Sequence, residues 1–344
     1  MRKIGLHLFC SVKGGVGKST LSVVAAKLLA KQGKVPLLID TDMLGSSLAD
    51  GLALCAPVVA ETAAGLLDLE AQPTGQWYSL SGTRELRQRR RDWLERNEDN
   101  ETSFEGAVAP AYLNDALHYS VPDPRRDCSV AAMFWKHETE DGVWYLPSSP
   151  LQVDAARAAP HAVSAGNDND YDWIRRLAWV LDSVLEQKPE VTDIVLDLPP
   201  GTWGFAHQVL LLAGHLSRAS LLPAGYPIWS KRIRWLVNPF IVTSRDRNDR
   251  VVAIEYFIEV KSVLPLLPVC NRLSVAPGSL RAEIRRDLPK TLQGLGIEEL
   301  LRVVPELPHS LGRVFTDGNV MVEEEEEIAK VLRLDSYRNG EGSS

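Results

Sequence analysis

The sequence predicts an α/β protein with a doubly wound, mainly parallel β-sheet and helices on both faces. Residues 4–10 form a short apolar run of the kind that makes a buried parallel strand. Apolar residues between Leu21 and Leu29 then recur with the period of an α-helix, and Gly33 follows as a helix-ending residue. Residues 35–39 form a second apolar run. The order of strand, glycine-rich loop, helix and strand defines a βαβ unit, which we expect to be right-handed.

Length and composition are those of an ordinary globular domain. The 344 residues are 45% hydrophobic and 24% charged, with a formal net charge of −7. A chain of this size buries roughly three quarters of its unfolded surface, so it needs no disulfide or metal for stability. The four cysteines lie far apart, which argues against a disulfide framework or a CxxC metal site. We predict a single cytoplasmic domain over residues 1–344, because the apolar runs are too short to span a membrane and the acidic balance excludes an overall basic nucleic-acid coat.

The loop between the first strand and the first helix predicts a phosphate-binding site. Its glycines let successive backbone N–H groups point at an anion, and the positive end of the following helix adds to the same place. Lys18 supplies a point charge for the β- and γ-phosphates, and the Ser19 hydroxyl can ligate Mg²⁺. An incidental glycine-rich turn is disfavoured because the flanking strand and helix agree with the motif. The residues expected to contact the nucleotide phosphates are Gly14, Gly15, Val16, Gly17, Lys18, Ser19 and Thr20.

The loop departs from the usual GxxxxGK[ST] pattern, whose first glycine would fall at Val12. Instead Lys13 opens a run, Lys13-Gly14-Gly15-Val16-Gly17-Lys18-Ser19, which closely resembles the deviant Walker A motif KGGxGK[ST] of the MinD/ParA/Mrp ATPases, P-loop enzymes of the SIMIBI class. The resemblance implies an ATPase that forms a homodimer when ATP binds. It also implies that Lys13 reaches across the dimer to the partner's phosphates.

Two aspartates follow the second predicted strand. Asp40 and Asp42 are similar to the family's switch I segment, commonly written DxD. By that resemblance Asp42 orients the hydrolytic water and Asp40 supports the magnesium shell. A structural alternative is that Asp42 or Ser46 caps a following helix, and capping does not exclude catalysis.

A later apolar run, Asp193 to Leu198, carries Asp197 near its end. Asp197 resembles the Walker B aspartate, which holds Mg²⁺ through its water shell. The segment Leu198-Pro199-Pro200-Gly201 resembles switch II in the D-x-PPG form of the Mrp-like branch. Gly201 lacks a side chain, so its N–H can approach the γ-phosphate. The resemblance therefore assigns the metal to Ser19, Asp40 and Asp197.

The base-binding residues favour ATP over GTP. Asn271 follows an apolar run, but the aspartate of an NKxD guanine-binding segment is missing after it. Asn271 therefore resembles the adenine-contacting asparagine of the MinD/ParA group. Pro305 ends another apolar run and resembles the proline-containing base loop of the family.

The rest of the chain suggests where partners bind. Residues 75–140 are predicted to form a helical insertion, which either recognises a partner or adds helices that cover one sheet edge. Its basic stretch, residues 84–96, is a solvated helix face or a contact for DNA or acidic lipid. The acidic run Glu323–Glu327, followed by a polar tail at 335–344, would be repelled by anionic lipid, so the sequence argues against membrane docking. A second basic set is the preferred DNA-binding candidate: Lys231, Arg232, Arg234, Arg245, Arg247 and Arg250.

Three functions are compatible with these motifs. The first is a slow, partner-stimulated, Mg²⁺-dependent ATPase of the MinD/ParA type that positions or regulates a protein partner, with non-specific DNA as a further candidate partner. The second is an Mrp-like iron–sulfur or metal carrier, which the Asp197–Gly201 segment favours and the missing CxxC opposes. The third is an ATP-dependent interaction scaffold with little turnover.

Overall fold

The structure is a computed structural model. It describes residues 1–45, 48–68, 73–96, 108–117, 130–164, 171–218, 233–260, 267–273, 302–305 and 328–332, together with residues 264, 282, 286 and 334. Ser46, the acidic run at 323–327 and the tail at 335–344 therefore lie outside the described residues.

In the described residues, a sheet of nine strands forms the centre of the fold. The strands are β1 (Arg2–Ser11), β2 (Pro36–Asp40), β3 (Leu54–Cys55), β4 (Trp135–His137), β5 (Trp144–Leu146), β6 (Asp193–Pro200), β7 (Ile233–Thr243), β8 (Leu267–Leu273) and β9 (Arg302–Pro305). Their spatial order is β3-β4-β5-β2-β6-β1-β7-β8-β9. Every pair from β5 to β9 in that order is parallel, and the pairs β3–β4 and β4–β5 at one edge are antiparallel.

Helices cover both faces of this sheet. They are α1 (Lys18–Lys31), α2 (Leu48–Gly51), α3 (Leu80–Arg96), α4 (Leu113–Leu117), α5 (Gln152–Ser164), α6 (Tyr171–Gln187), α7 (Gly204–Ser217) and α8 (Arg247–Val260). Side chains of α6, α7 and α8 share one core cluster with Leu6 and Leu8 of β1, whereas α1 shares the other with Phe9. Because successive strand residues point to opposite faces, β1 contributes to both cores. The predicted doubly wound, mainly parallel fold is confirmed.

The first βαβ unit follows the predicted pattern closely. Helix α1 begins after Gly17 (φ +86°), and Gly33 (φ +76°) follows its end, both in the left-handed region that glycine adopts without strain. Leu21 and Leu29 are buried as the periodicity requires, but so are Val23 and Ala26. The helix is thus buried on more than one side, because it packs against the sheet on one side and against other segments of the chain on another.

Residues 75–140 supply part of the sheet as well as helices. Strand β4 lies within this range and pairs with both β3 and β5. Helix α3 turns Leu86, Arg90 and Leu94 toward the protein interior at helical spacing. This part of the chain therefore covers and extends one sheet edge. That arrangement is the second of the two alternatives given above for residues 75–140.

Arg90 is a buried charge of this region. Its guanidinium is 1% exposed and bonds both carboxylate oxygens of Asp115 (2.9 and 2.6 Å) and both of Asp154 (3.1 and 3.3 Å). The carbonyl oxygens of Val108 and Pro110 accept further bonds from it. The charge pattern alone favours a solvated helix face for this arginine. In the structure its side chain instead joins α3 to residues 108–115 and to α5.

Replacing Arg90 with methionine is expected to lower the free energy of unfolding by about 3–5 kcal/mol, because two buried carboxylates lose their cation. Urea unfolding of the purified protein measures this loss. Arg91→Met is the matched control, since Arg91 is exposed on the same helix and its loss should change stability by no more than about 0.5 kcal/mol. Equal losses for the two variants would contradict the role of the buried cluster.

Candidate functional site

The glycine loop lies between the end of β1 and the start of α1, at the carboxyl edge of the sheet. Gly15 (φ +76°) and Gly17 (φ +86°) both adopt left-handed conformations, which turn the backbone around the start of the helix. No side chain caps the first turn of α1. No atom lies within 4 Å of where a Cβ on Gly14 or Gly15 would sit. The loop thus offers uncapped helix amides and open space to an anion.

The Lys18 side chain reaches from the first turn of α1 to the end of β6. Its ammonium lies 2.6 Å from Asp197 Oδ1 and 3.3 Å from Ser19 Oγ. Both charged side chains are almost fully buried, at 7% and 1% exposure. Burial lowers the pKa of Lys18, whereas the charge and hydrogen bond of Asp197 raise it. The net pKa of Lys18 is raised, so this side chain stays protonated. A cation therefore stands between Ser19 and Asp197.

Asp40 lies beside Asp197 because β2 and β6 are neighbours in register, with Asp40 paired to Asp197. It is 1% exposed. Its Oδ1 accepts the Asp42 N–H (3.0 Å), and its Oδ2 accepts the Leu48 N–H (2.9 Å) and the Ser148 hydroxyl (2.7 Å). Burial and the neighbouring Asp197 carboxylate raise the pKa of Asp40 to about 7. Asp40 thus caps the start of α2 through the Leu48 N–H, whereas the sequence suggested Asp42 or Ser46 as the capping residue, and Ser46 lies outside the described residues.

Asp42 is held at the same edge by the residue before it. The N–H and hydroxyl of Thr41 both donate to the carbonyl oxygen of Asp197, at 2.9 and 2.7 Å. Asp42 itself accepts the Gly45 N–H at 2.9 Å. Burial raises the pKa of Asp42, partly offset by Lys18. The structure therefore brings Lys18, Asp42 and Asp197 into one electrostatic cluster.

The segment after β6 contacts the start of the glycine loop. The Gly201 N–H donates to the Ser11 carbonyl oxygen at 2.8 Å, and Gly201 has a φ of +126°, which favours glycine. Two large apolar side chains near this edge face solvent: Trp203, 66% exposed, and Leu44, 46% exposed. They follow β6 and β2 respectively, so both lie at the carboxyl edge of the sheet. Neither residue was predicted from the sequence, although Trp203 stands out there between Gly201-Thr202 and Gly204.

Lys13 is bound within its own chain. Its ammonium lies 2.6 Å from Asp249 Oδ1 in the first turn of α8, and Ser244 donates to the other oxygen of Asp249. The hydrogen bond between Lys13 and Asp249 raises the pKa of Lys13 and lowers the pKa of Asp249. Lys13 is still 48% exposed. It therefore sits at the rim of the loop, available to exchange one anion for another.

The two predicted base-binding residues lie on neighbouring strands. Asn271 is in β8 and Pro305 ends β9, and Leu273 pairs with Pro305 in the register of the two strands. The described residues place both at the carboxyl edge, on the far side of β7 from the glycine loop. Asn271 and Pro305 therefore lie at the same edge of the sheet as the glycine loop.

The second basic set does not form one face in the described part of the chain. Arg234 lies near the amino end of β7, whereas Arg245 and Arg247 follow its carboxyl end and are exposed. Arg250 is 5% exposed. Lys231 and Arg232 lie outside the described residues. The exposed arginines of this set are thus divided between opposite edges of the sheet.

Among the described residues, no three His, Cys, Asp or Glu side chains come together as a metal-binding group. Each helix in this part of the chain is too short or too polar to cross a membrane.

The open glycine loop at a helix start, its buried lysine and the aspartates at the ends of adjacent parallel strands define a P-loop nucleotide-binding protein. The family model described as the CobQ/CobB/MinD/ParA nucleotide binding domain matches residues 7–311, and the chain belongs to this family. The predicted resemblance is confirmed. No curated protein matches the sequence.

Solved structures with a similar chain path share little sequence. The cell division ATPase MinD of Pyrococcus furiosus is 16% identical, with a TM-score of 0.48 and coverage of 96% of this chain and 98% of that one. MinD from Pyrococcus horikoshii, complexed with Mg-ADP, is 14% identical, with a TM-score of 0.48 and 98% coverage of both chains. A putative plasmid partition protein from Borrelia burgdorferi, bound to AMPPNP, is 13% identical, with a TM-score of 0.48 and coverage of 97% and 100%.

Proposed function

We propose that this protein is a Mg²⁺-dependent ATPase of the MinD/ParA type that hydrolyses ATP slowly and forms a homodimer when ATP is bound. One observation carries the proposal: the buried Lys18 ammonium stands between Ser19 and Asp197 at the inner end of an open amide-lined loop. A lysine, a hydroxyl and a carboxylate in this order are the groups that bind phosphate and metal in P-loop enzymes.

Phosphate binding requires Lys18 to exchange partners. The ammonium now bonds Asp197, and a triphosphate in the loop would offer it β- and γ-phosphate oxygens instead. The amides of residues 14–20 would hold the same phosphates together with the start of α1. The exchange keeps the ammonium paired with an anion throughout, which avoids leaving a buried charge alone.

The residues present fit a magnesium ion. Lys18 already occupies a cation position between Ser19 Oγ and Asp197 Oδ1, so these oxygens converge on positive charge. With Lys18 moved to the phosphates, Ser19 and Asp197 would hold the metal, and Asp40 would support it from beside Asp197. When bound, the ion neutralises charge that develops on the phosphates.

Asp42 is the residue proposed to orient the attacking water. Its carboxylate shares the electrostatic cluster of Lys18 and Asp197, and burial raises its pKa, which strengthens it as a proton acceptor. Asn271 and Pro305 are proposed to contact the adenine, since their strands end at the same edge of the sheet. The Gly201 N–H now donates to the Ser11 carbonyl oxygen, and we propose that it leaves this partner for the γ-phosphate when nucleotide binds.

The exposed side chains around the site favour an interface there. Trp203 and Leu44 are large, apolar and placed just after β6 and β2, where a γ-phosphate would order the chain. We propose that a second copy covers them and that its own Lys13 then lies near the nucleotide, as the deviant Walker A motif implies. We propose that a protein partner binds the ATP-bound dimer. Non-specific DNA is the second proposed partner. Retention of DNA that requires ATP and falls as the salt concentration rises would support it.

Lys13→Gln is expected to weaken ATP-dependent dimerisation at least about 10-fold, because a cross-dimer charge contact to phosphate is lost. ATP affinity of the monomer should change far less, since Lys18 and the loop amides remain. Size measurement with a non-hydrolysable ATP analogue, beside calorimetric binding, separates the two effects. Lys3→Gln is the control, because Lys3 is also exposed but lies at the other end of β1.

Phosphate release from Mg-ATP by the purified chain tests the reaction itself. Release that requires Mg²⁺ and accompanies the ATP-dependent dimer supports the proposal. Dimers that form with ATP but release no phosphate would favour the low-turnover scaffold instead, and binding of iron after anaerobic reconstitution would favour the carrier.

A further inference from the structure

The loop after β5 lies against the acidic segment that follows β2. Strands β2 and β5 are parallel neighbours, with Ile39 paired to Leu146, so their carboxyl ends coincide. Ser148, two residues past β5, is therefore placed beside Asp40, one residue past Ile39. Its side chain is fully buried.

The Ser148 hydroxyl contacts both acidic residues of this segment. Its oxygen lies 2.7 Å from Asp40 Oδ2, to which it donates, and 3.2 Å from the carbonyl oxygen of Asp42. The Asp40 carboxylate in turn accepts the N–H groups of Asp42 and Leu48. One hydroxyl thus fixes the carboxylate that holds both ends of the segment carrying Asp42.

The loop that carries Ser148 is itself held by the region at 75–140. The Leu113 N–H donates to the Pro147 carbonyl oxygen at 2.9 Å, and the Ser149 N–H donates to Asn114 Oδ1 at 2.7 Å. Asn114 is fully buried. Both residues belong to α4, whose next residue, Asp115, binds Arg90.

We propose that Ser148 is a positioning residue for Asp42, and that the region at 75–140 sets its position through α4. The inference rests on the proposed ATPase activity and adds a residue that the motifs do not contain. The hydroxyl acts on Asp40, and Asp40 sets the backbone of Asp42. The two contacts of the Ser148 hydroxyl described above go to the segment that carries Asp42, so its loss should affect hydrolysis rather than nucleotide binding.

Ser148→Ala tests this in two independent measurements. Removing a hydrogen bond to a buried carboxylate should speed amide exchange at Asp42 and Leu48 of the nucleotide-free protein by about 10-fold or more. The same variant should lower the rate of phosphate release at saturating ATP by about 10-fold, with less than about 3-fold change in ATP affinity. Exchange at amides within β6 provides an internal reference for the intact fold.

Ser149→Ala is the matched control. It removes the neighbouring buried hydroxyl, which donates to Asp154 at 2.6 Å rather than to Asp40. The backbone bonds from Leu113 and to Asn114 remain, so exchange at Asp42 and Leu48 should stay at the wild-type rate. Unchanged exchange in Ser148→Ala, or equal acceleration in both variants, would overturn the proposal. A wild-type protein that releases no phosphate would instead refute the proposed activity, while the exchange result would still decide the role of Ser148.

Discussion

Lys18→Met is expected to reduce the affinity for Mg-ATP at least about 100-fold. The substitution removes the ammonium that would bind the β- and γ-phosphates, and a buried charge-assisted contact of this kind is worth about 2–5 kcal/mol. It also leaves the carboxylates of Asp40, Asp42 and Asp197 without the cation that now balances them. Calorimetric titration with a non-hydrolysable ATP analogue measures the change.

Lys27→Met is the matched control for this prediction. Lys27 is also a buried lysine of α1, at 2% exposure, and it pairs with Asp141 at 3.0 Å. Its loss removes the same charge from the same helix, away from the glycine loop. We therefore expect a less stable protein that still binds ATP normally. An unchanged ATP affinity in Lys18→Met, or an equal loss in both variants, would refute the role given to Lys18.

Asp42→Asn is expected to slow ATP hydrolysis by about 10²- to 10⁴-fold, the usual contribution of a positioned general base. ATP binding should persist, because the loop and Lys18 are untouched, so the ATP-bound dimer should accumulate. Single-turnover phosphate release and size measurement with ATP report the two effects separately.

Asp50→Asn provides the comparison for Asp42. Asp50 lies in α2, its side chain is 57% exposed, and it pairs with Arg87 at 2.9 Å. It is close in sequence but faces solvent, so its loss should leave turnover within about 2-fold of wild type. Full activity in Asp42→Asn would move the water-orienting role to another residue.

The first βαβ unit could be predicted because all of its signals are local. The glycines, the apolar stripe of α1 and the apolar runs of β1 and β2 each specify one element over a short stretch. The parallel order then places Asp40 and Asp197 at one edge, because parallel strands end together. This much of the site needs only periodicity and the rule that ligands bind at the carboxyl ends of such strands.

Contacts between distant segments could not be predicted in the same way. The Lys13–Asp249 pair joins residues that only the fold brings together, and nothing near Lys13 in sequence indicates its partner. Arg90 sits among other arginines, so its local pattern indicates a solvated face. It is buried because Asp115 and Asp154 approach from separate elements. Local charge patterns cannot report such long-range compensation.

The roles of Asp40 and Ser148 show the same limit at the site itself. The motif identified Asp40, but its bonds to Leu48 and Ser148 depend on where α2 and the loop after β5 pack. A strand and loop near residues 144–150 were predicted, and β5 is present there. The contact between that loop and Asp40 follows from strand order, which the sequence does not state.

The proposed function requires that a magnesium-bound triphosphate displaces the Lys18–Asp197 pair. The decisive measurement is an experimental structure of the protein with Mg²⁺ and a non-hydrolysable ATP analogue. We expect phosphates along the amides of residues 13–19, the Lys18 ammonium on the β- and γ-phosphates, and the metal between Ser19 and Asp197. A structure at saturating analogue in which Lys18 still bonds Asp197 and the loop holds no phosphate would refute the proposal.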